Sequence, residues 1–232
     1  MEFRAVLFDL DNTLFDHLTS ARGGLDAFVR SLGVELTSDL SRSWFEIEQV
    51  TYDRFLTKEL NFQEQRRERL RQFLTVIGHP GAAGTTELDQ MFAIYLRSYV
   101  EAWTAFPDAA PTLQMLRSSG VTIGVVTNGN HEQQQKKINR IGIEPLLDIF
   151  FSSEQMGHAK PTRSAFVLPC EKMGLSPNEV LYVGDNFRVD IEGARAAGLQ
   201  AIHLDREGAG QPNTLRSLTD LILMLKIETT AP

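Results

Sequence analysis

Four short apolar runs in this chain stop abruptly on polar clusters. Residues 3–8 end in Asp9-Leu10-Asp11-Asn12-Thr13, residues 121–126 in Thr127-Asn128-Gly129, residues 148–151 in Ser152-Ser153, and residues 179–183 in Gly184-Asp185-Asn186. The runs are too short for helices and rich in β-branched and aromatic residues. They are apolar nearly throughout rather than alternating, which predicts strands buried on both faces, as in a parallel sheet. Helical segments alternate with them from Phe106 onward: 109–119, 131–141, 162–173 and 188–197, closed by Gly120, Gly142, Gly174 and Gly198. A further strand at 200–204 and a last helix at 214–226 complete the pattern. Such alternation implies a parallel sheet with helices on both faces, and all its strand carboxyl ends share one edge, where ligands collect.

Between the first run and Phe106 the character changes. Helical periodicity occupies 17–32, 39–59, 62–77 and 86–102, punctuated by Gly33, Gly78 and Pro80-Gly81, with Ser38 and Thr85 as expected N-caps. Helices without strands form a bundle-like unit. The fold expected is therefore α/β: a Rossmann-like parallel sheet core (1–15 and 105–232) with an inserted α-helical domain (16–104). Along 62–77, Phe62, Leu70, Phe73, Leu74 and Ile77 make one apolar stripe; Arg66 and Arg69 fall in or beside it, Arg67 and Arg71 toward the polar side. Arg66 and Arg69 are candidate contacts for an anionic substrate. Pro169 is expected to kink helix 162–173 or end it early.

Composition narrows the function classes. Lys and Arg number 23 against 30 Asp and Glu, a net charge of −7, which argues against nucleic acid or an anionic membrane as the main partner. The single cysteine, Cys170, excludes an intramolecular disulfide and reads as a small core residue. No run of apolar residues is long enough for a membrane span, and the first residues read as a strand rather than a signal peptide, so a soluble cytoplasmic protein is expected, as monomer or homodimer.

The polar clusters carry the chemistry. Residues i and i+2 of a strand project to one side, so Asp9 and Asp11 converge unless the chain turns sharply after Leu10. Crowded carboxylates need a cation or a shared proton. Asp9, Asp11 and Asp185 suit a hard divalent cation such as Mg²⁺, which prefers a few carboxylates plus water and phosphate oxygens. Thr127, Asn128 and Gly129, at a helix start, suit a phosphate group. Lys160, before Pro161, offers a point positive charge, and a carboxylate can serve as nucleophile. Each cluster alone could be an ordinary turn or helix cap. Their joint occurrence at successive strand ends points to a site.

Together these motifs resemble the haloacid dehalogenase-like hydrolase superfamily: Asp9-Leu10-Asp11-Asn12-Thr13, Thr127 after its strand, Lys160-Pro161, and Gly184-Asp185-Asn186-Phe187-Arg188-Val189-Asp190 occur in that family's order. The inserted helices resemble its C1-type cap. The resemblance implies a Mg²⁺-dependent phosphatase acting on a small phosphomonoester (a sugar phosphate, nucleotide or other metabolite) through an aspartyl-phosphate. Asp9 would be the nucleophile and Asp11 the acid and base, its main-chain carbonyl also binding Mg²⁺. Thr127 and Lys160 would hold the phosphoryl group, Asp185 would complete the metal site, and Asn186 and Asp190 would support it. The alternatives are a phosphomutase, a scaffold that binds phosphorylated ligands without turnover, and a 2-haloacid dehalogenase. The last is disfavoured by Asp11, because a halide leaves without needing a proton.

Overall fold

The computed structural model describes residues 3–81, 84–208 and 214–227. It divides into two compact units, Met1–Asp16 with Thr104–Pro232, and His17–Trp103. The first is built on a sheet of six parallel strands among the described residues: β1 (Ala5–Phe8), β2 (Thr122–Thr127), β3 (Ile149–Ser152), β4 (Val180–Gly184), β5 (Gln200–Leu204) and β6 (Thr214–Leu215), in the order β3-β2-β1-β4-β5-β6. Phe8 lies opposite Val125 of β2 and Val183 of β4. Thr127 lies opposite Ser152, and Gly184 opposite His203. The register therefore brings the ends of β1, β2 and β4 to one stretch of the carboxyl edge. All of β1 is buried, as its unbroken apolar run requires. The two-residue β6 was not anticipated; a strand so short carries no periodic pattern.

The second unit holds α1 (His17–Ser31), α2 (Ser38–Leu56), α3 (Phe62–Val76) and α4 (Thr85–Glu101), with α1 packed on α4 and α2 on α3. A Cβ on Gly24 would meet the Cβ of Tyr99 at 2.9 Å, so glycine is what lets α1 approach α4 so closely. Trp44 is fully buried, edge-on to Phe73 with centroids 5.0 Å apart and 4.7 Å from Tyr95, which stacks on Tyr99. Two caps sit one residue earlier than expected. Thr37 takes the extended conformation and accepts from Leu40 N–H in place of Ser38, and Gly84 stands where Thr85 was expected. Asn61 and Glu64 form a reciprocal capping box at the start of α3.

The sheet unit's helices are α5 (Ala109–Ser118), α6 (His131–Arg140), α7 (Ser153–Met156), α8 (Arg163–Met173), α9 (Gly193–Ala197) and α10 (Leu218–Met224). α8 runs on through Pro169, so the proline does not end the helix early; the ring is buried and the missing N–H removes one bond only. Cys170, beside it, is fully buried in the cluster around Leu7, Phe166 and Tyr182. The helix expected at 188–197 is instead a π-helical turn, Phe187–Glu192, leading into α9, and the last helix begins at Leu218, not 214. Arg206 forks onto Asp108 (3.0 Å to each oxygen), donates to the Thr13 carbonyl (2.8 Å) and lies over the Phe106 ring. It thereby ties together the two segments where the chain leaves and re-enters this unit. Among the described residues no helix is long and apolar enough to cross a membrane.

Candidate active site

The chain does turn sharply after β1. Thr13, Leu14 and Phe15 all direct their N–H groups at the Leu10 carbonyl, and Asn12 adopts a left-handed conformation (φ 61°), which asparagine tolerates better than most residues. Asp9 and Asp11 take different hydrogen-bond partners. They enter two adjoining networks.

The first network is centred on Lys160, which is 3% exposed. Its ammonium group donates to Asp9 Oδ1 at 2.6 Å, to Asp190 Oδ1 at 2.7 Å and to the Tyr182 hydroxyl at 2.8 Å. Three donors meet three acceptors, so the ammonium is saturated. The Tyr182 hydroxyl in turn donates to the Val126 carbonyl at 2.9 Å. Burial alone disfavours the Lys160 charge, yet Asp190 and Asp9 outweigh it and hold its pKa above the usual lysine range. Burial raises the Asp9 carboxyl above its usual range, Asp190 and Asp185 add to the effect, and Lys160 opposes it. Lys160 occupies one Asp9 oxygen; the other, Oδ2, has no hydrogen-bond partner among the described residues.

Asp190 reaches this network because the π-helical turn swings it back under β4. Its Oδ2 accepts from the Asn186 N–H at 3.0 Å, while the Asn186 side chain accepts from Val189 N–H. A Cβ on Gly184 would lie 2.5 Å from the Asp190 carboxylate, so glycine here is a requirement of space. Carboxylate oxygens of Asp9, Asp185 and Asp190 lie within 4.8 Å of one another. Burial, with Asp190 beside it, pushes Asp185 up to about 7. One ammonium among three carboxylates, two of them buried, leaves an excess of acidic groups, the condition that a divalent cation relieves. The donor set therefore fits Mg²⁺, with Asp9 and Asp185 supplying oxygens and Asp190 already engaged by Lys160.

The second network surrounds Asp11. Lys137 donates to its Oδ1 at 2.6 Å and Gln134 to its Oδ2 at 2.9 Å. The same Gln134 nitrogen donates to Thr127 Oγ1 at 2.7 Å. Neither Gln134 nor Lys137 was anticipated. A signal was present. Of the ten residues of α6 only Ile138 is apolar, so a helix packed on this sheet must bury polar side chains as well.

Two expected phosphate contacts have structural partners. The Asn128 side chain pairs reciprocally with the Lys160 backbone, donating to its carbonyl at 2.9 Å and accepting from its N–H at 2.8 Å. The Gly129 N–H donates to Ser153 Oγ at 2.9 Å. Both residues brace the loops that carry Thr127 and Lys160. In the helical unit, Arg69 is 5% exposed, ion-paired with Glu48 and bonded to Gln65 at 2.9 Å, which commits it to the framework of that unit. Arg66 lies over the rings of Phe62 and Phe92, and burial, then Arg69, lower its pKa to about 10.

Residues 3–198 match the haloacid dehalogenase-like hydrolases. A ribulose-1,5-bisphosphate 5-phosphatase of Halopiger xanaduensis is 29% identical, over 94% of this chain and 98% of its own length. A glyceraldehyde 3-phosphate phosphatase of Methanopyrus kandleri is 32% identical, over 88% and 84% respectively. Among solved structures, the magnesium-bound HAD-hydrolase YfnB of Bacillus subtilis superposes with a TM-score of 0.85 at 24% identity, covering 98% of this chain and all of that one.

Proposed function

This chain belongs to the haloacid dehalogenase-like hydrolase family, and on that premise we propose that it is a Mg²⁺-dependent cytoplasmic phosphatase that cleaves small phosphomonoesters through an aspartyl-phosphate. The observation that carries this reading is the division of labour between Asp9 and Asp11. Asp9 has one oxygen pinned by Lys160 and the other unengaged, the arrangement of an oriented nucleophile. Asp11, on a separate pair of donors, is kept apart for proton transfer. An alkoxide leaving group needs that proton, whereas a halide does not.

In this reading Asp9 Oδ2 attacks phosphorus, and the P–O bond to the leaving group breaks as Asp11 gives that oxygen a proton. Asp11 then takes a proton from the water that hydrolyses the acyl phosphate, restoring both carboxyl groups. Thr127 donates its hydroxyl proton to a phosphoryl oxygen. Lys160 favours the ionised form of Asp9 and aims it. Mg²⁺, held by Asp9, Asp185 and the Asp11 carbonyl, would supply charge neutralisation for the phosphoryl oxygens. Residues 16–104 act as the cap insertion, with Arg66 rather than Arg69 as its candidate anion contact.

Phosphate release from a panel of sugar phosphates, nucleotides and other phosphorylated metabolites tests the proposal. Turnover with Mg²⁺ that is abolished by EDTA and by Asp9→Asn is expected. No turnover across the panel with Mg²⁺ present would refute it.

A further inference from the structure

Gln134 and Lys137 stand three residues apart on α6, both 2% exposed, and both directed at Asp11. Burying a lysine is costly unless its charge is matched. Here the match is Asp11 Oδ1, with the Phe15 ring centroid 4.8 Å from the ammonium as a second, weaker partner. The two donors make unequal claims on Asp11. Lys137 binds Oδ1 with a full charge. Gln134 has one amide nitrogen for three acceptors: Asp11 Oδ2, Thr127 Oγ1 and, at 3.3 Å, the Asn128 carbonyl. Of these two donors, the one on Oδ2 is uncharged and shared. Because Gln134 donates to Thr127 Oγ1, the Thr127 hydroxyl hydrogen must point elsewhere. It now reaches the Asn128 carbonyl at a long 3.3 Å, a bond easily exchanged for a better acceptor.

From this arrangement we infer that Gln134 and Lys137 are positioning residues for proton transfer: Lys137 fixes Asp11 by Oδ1, and Gln134 sets Asp11 Oδ2 beside Thr127 Oγ1, so that the proton-carrying oxygen and the phosphoryl-holding hydroxyl form one rigid unit. The inference rests on the role proposed above for Asp11. In the phosphoryl-transfer step it concerns the leaving-group oxygen only, since attack by Asp9 is organised by Lys160.

Leaving-group dependence tests it. An alkyl phosphate needs a proton on its departing oxygen; 2,4-dinitrophenyl phosphate does not, because its phenolate is stable. Four variants are compared with the unaltered protein on both esters: Lys137→Met, which keeps much of the side-chain length, Lys137→Arg, Gln134→Leu and Asp11→Asn. Lys137→Met is expected to lower kcat/KM for the alkyl ester by about 100-fold, the low end of what general acid–base catalysis supplies, and for the dinitrophenyl ester by less than about threefold. Gln134→Leu, which removes no charge, is expected to show the same selectivity at roughly tenfold, and Lys137→Arg to recover part of the loss. Both variants should lower kcat on both esters, since hydrolysis of the acyl phosphate still needs Asp11 as base. Equal losses of kcat/KM on the two esters, or none, in properly folded Lys137→Met and Gln134→Leu would overturn the inference; either variant alone suffices if the other does not fold. Asp11→Asn separates the two levels. If it discriminates between the esters and the α6 variants do not, only the positioning role falls; if it does not discriminate, the role of Asp11 falls and the inference with it.

Discussion

Asp185 carries the most direct physical prediction. Its carboxyl is raised from 3.8 to about 7, by burial first and by Asp190 next. An acid whose pKa is higher in the folded than in the unfolded chain binds its proton more tightly when folded. The stability it contributes is complete below pH 4 and is lost as pH rises through 7. The whole difference amounts to roughly 4 kcal/mol, of which about 2–3 kcal/mol falls between pH 5 and pH 8. Asp185 keeps part of its surface in water, so screening places the measured loss at or below that figure. For a chain of this length it corresponds to a fall in Tm of roughly 5–10 °C. Burial acts on Asp9 in the same direction. The assay is thermal unfolding in EDTA at pH 5 and pH 8, for the unaltered protein and Asp185→Asn, repeated at pH 8 with Mg²⁺. The amide variant should lose much of the pH dependence, and Mg²⁺ should restore the unaltered protein at pH 8 but scarcely affect the variant. Identical pH dependence in both proteins without metal would refute the electrostatic reasoning.

Other perturbations probe separate parts of the structure. Gly184→Ala should displace the Asp190 carboxylate, costing about 1–3 kcal/mol in urea unfolding and lowering kcat more than it raises KM, because substrate is not what it touches. Asn61→Ala removes a capping box and should cost about 1 kcal/mol with kcat unchanged. Phe73→Ala opens a cavity beside Trp44 and should cost about 3–5 kcal/mol, followed by Trp fluorescence. Arg66→Ala should raise KM for the best phosphate ester; an unchanged KM would remove Arg66 from the substrate site.

What could be read from the sequence follows from which signals are local. The strand-end clusters are visible because each couples an apolar run to polar residues at a fixed place, and parallel topology then forces them together. Asp9, Lys160 and Asp190 meet within one hydrogen-bonded network for that reason. The turn after Leu10 is set by three N–H groups converging on one carbonyl, a local geometry that side-chain alternation does not encode. Gln134 and Lys137 were hidden because burial of a polar residue depends on a partner more than 120 residues away. The bonds of Asn128 to Lys160 and of Gly129 to Ser153 join residues more than 20 positions apart, which no local signal of a turn encodes.

The strand order has a consequence for biosynthesis. β1 is made first yet lies in the middle of the sheet, between β2 and β4. Its two neighbours begin at Thr122 and Val180, so at about 5–20 residues per second β1 waits roughly 10–35 s for its second partner to be translated. Until β2 is made the apolar stretch Ala5–Phe8 has no strand to pair with, whereas α1 to α4, which pack on one another, are synthesised before it. Slow translation or truncation before Thr122 leaves β1 as an unpaired, aggregation-prone apolar strand, and truncation before Val180 leaves it with one neighbour only.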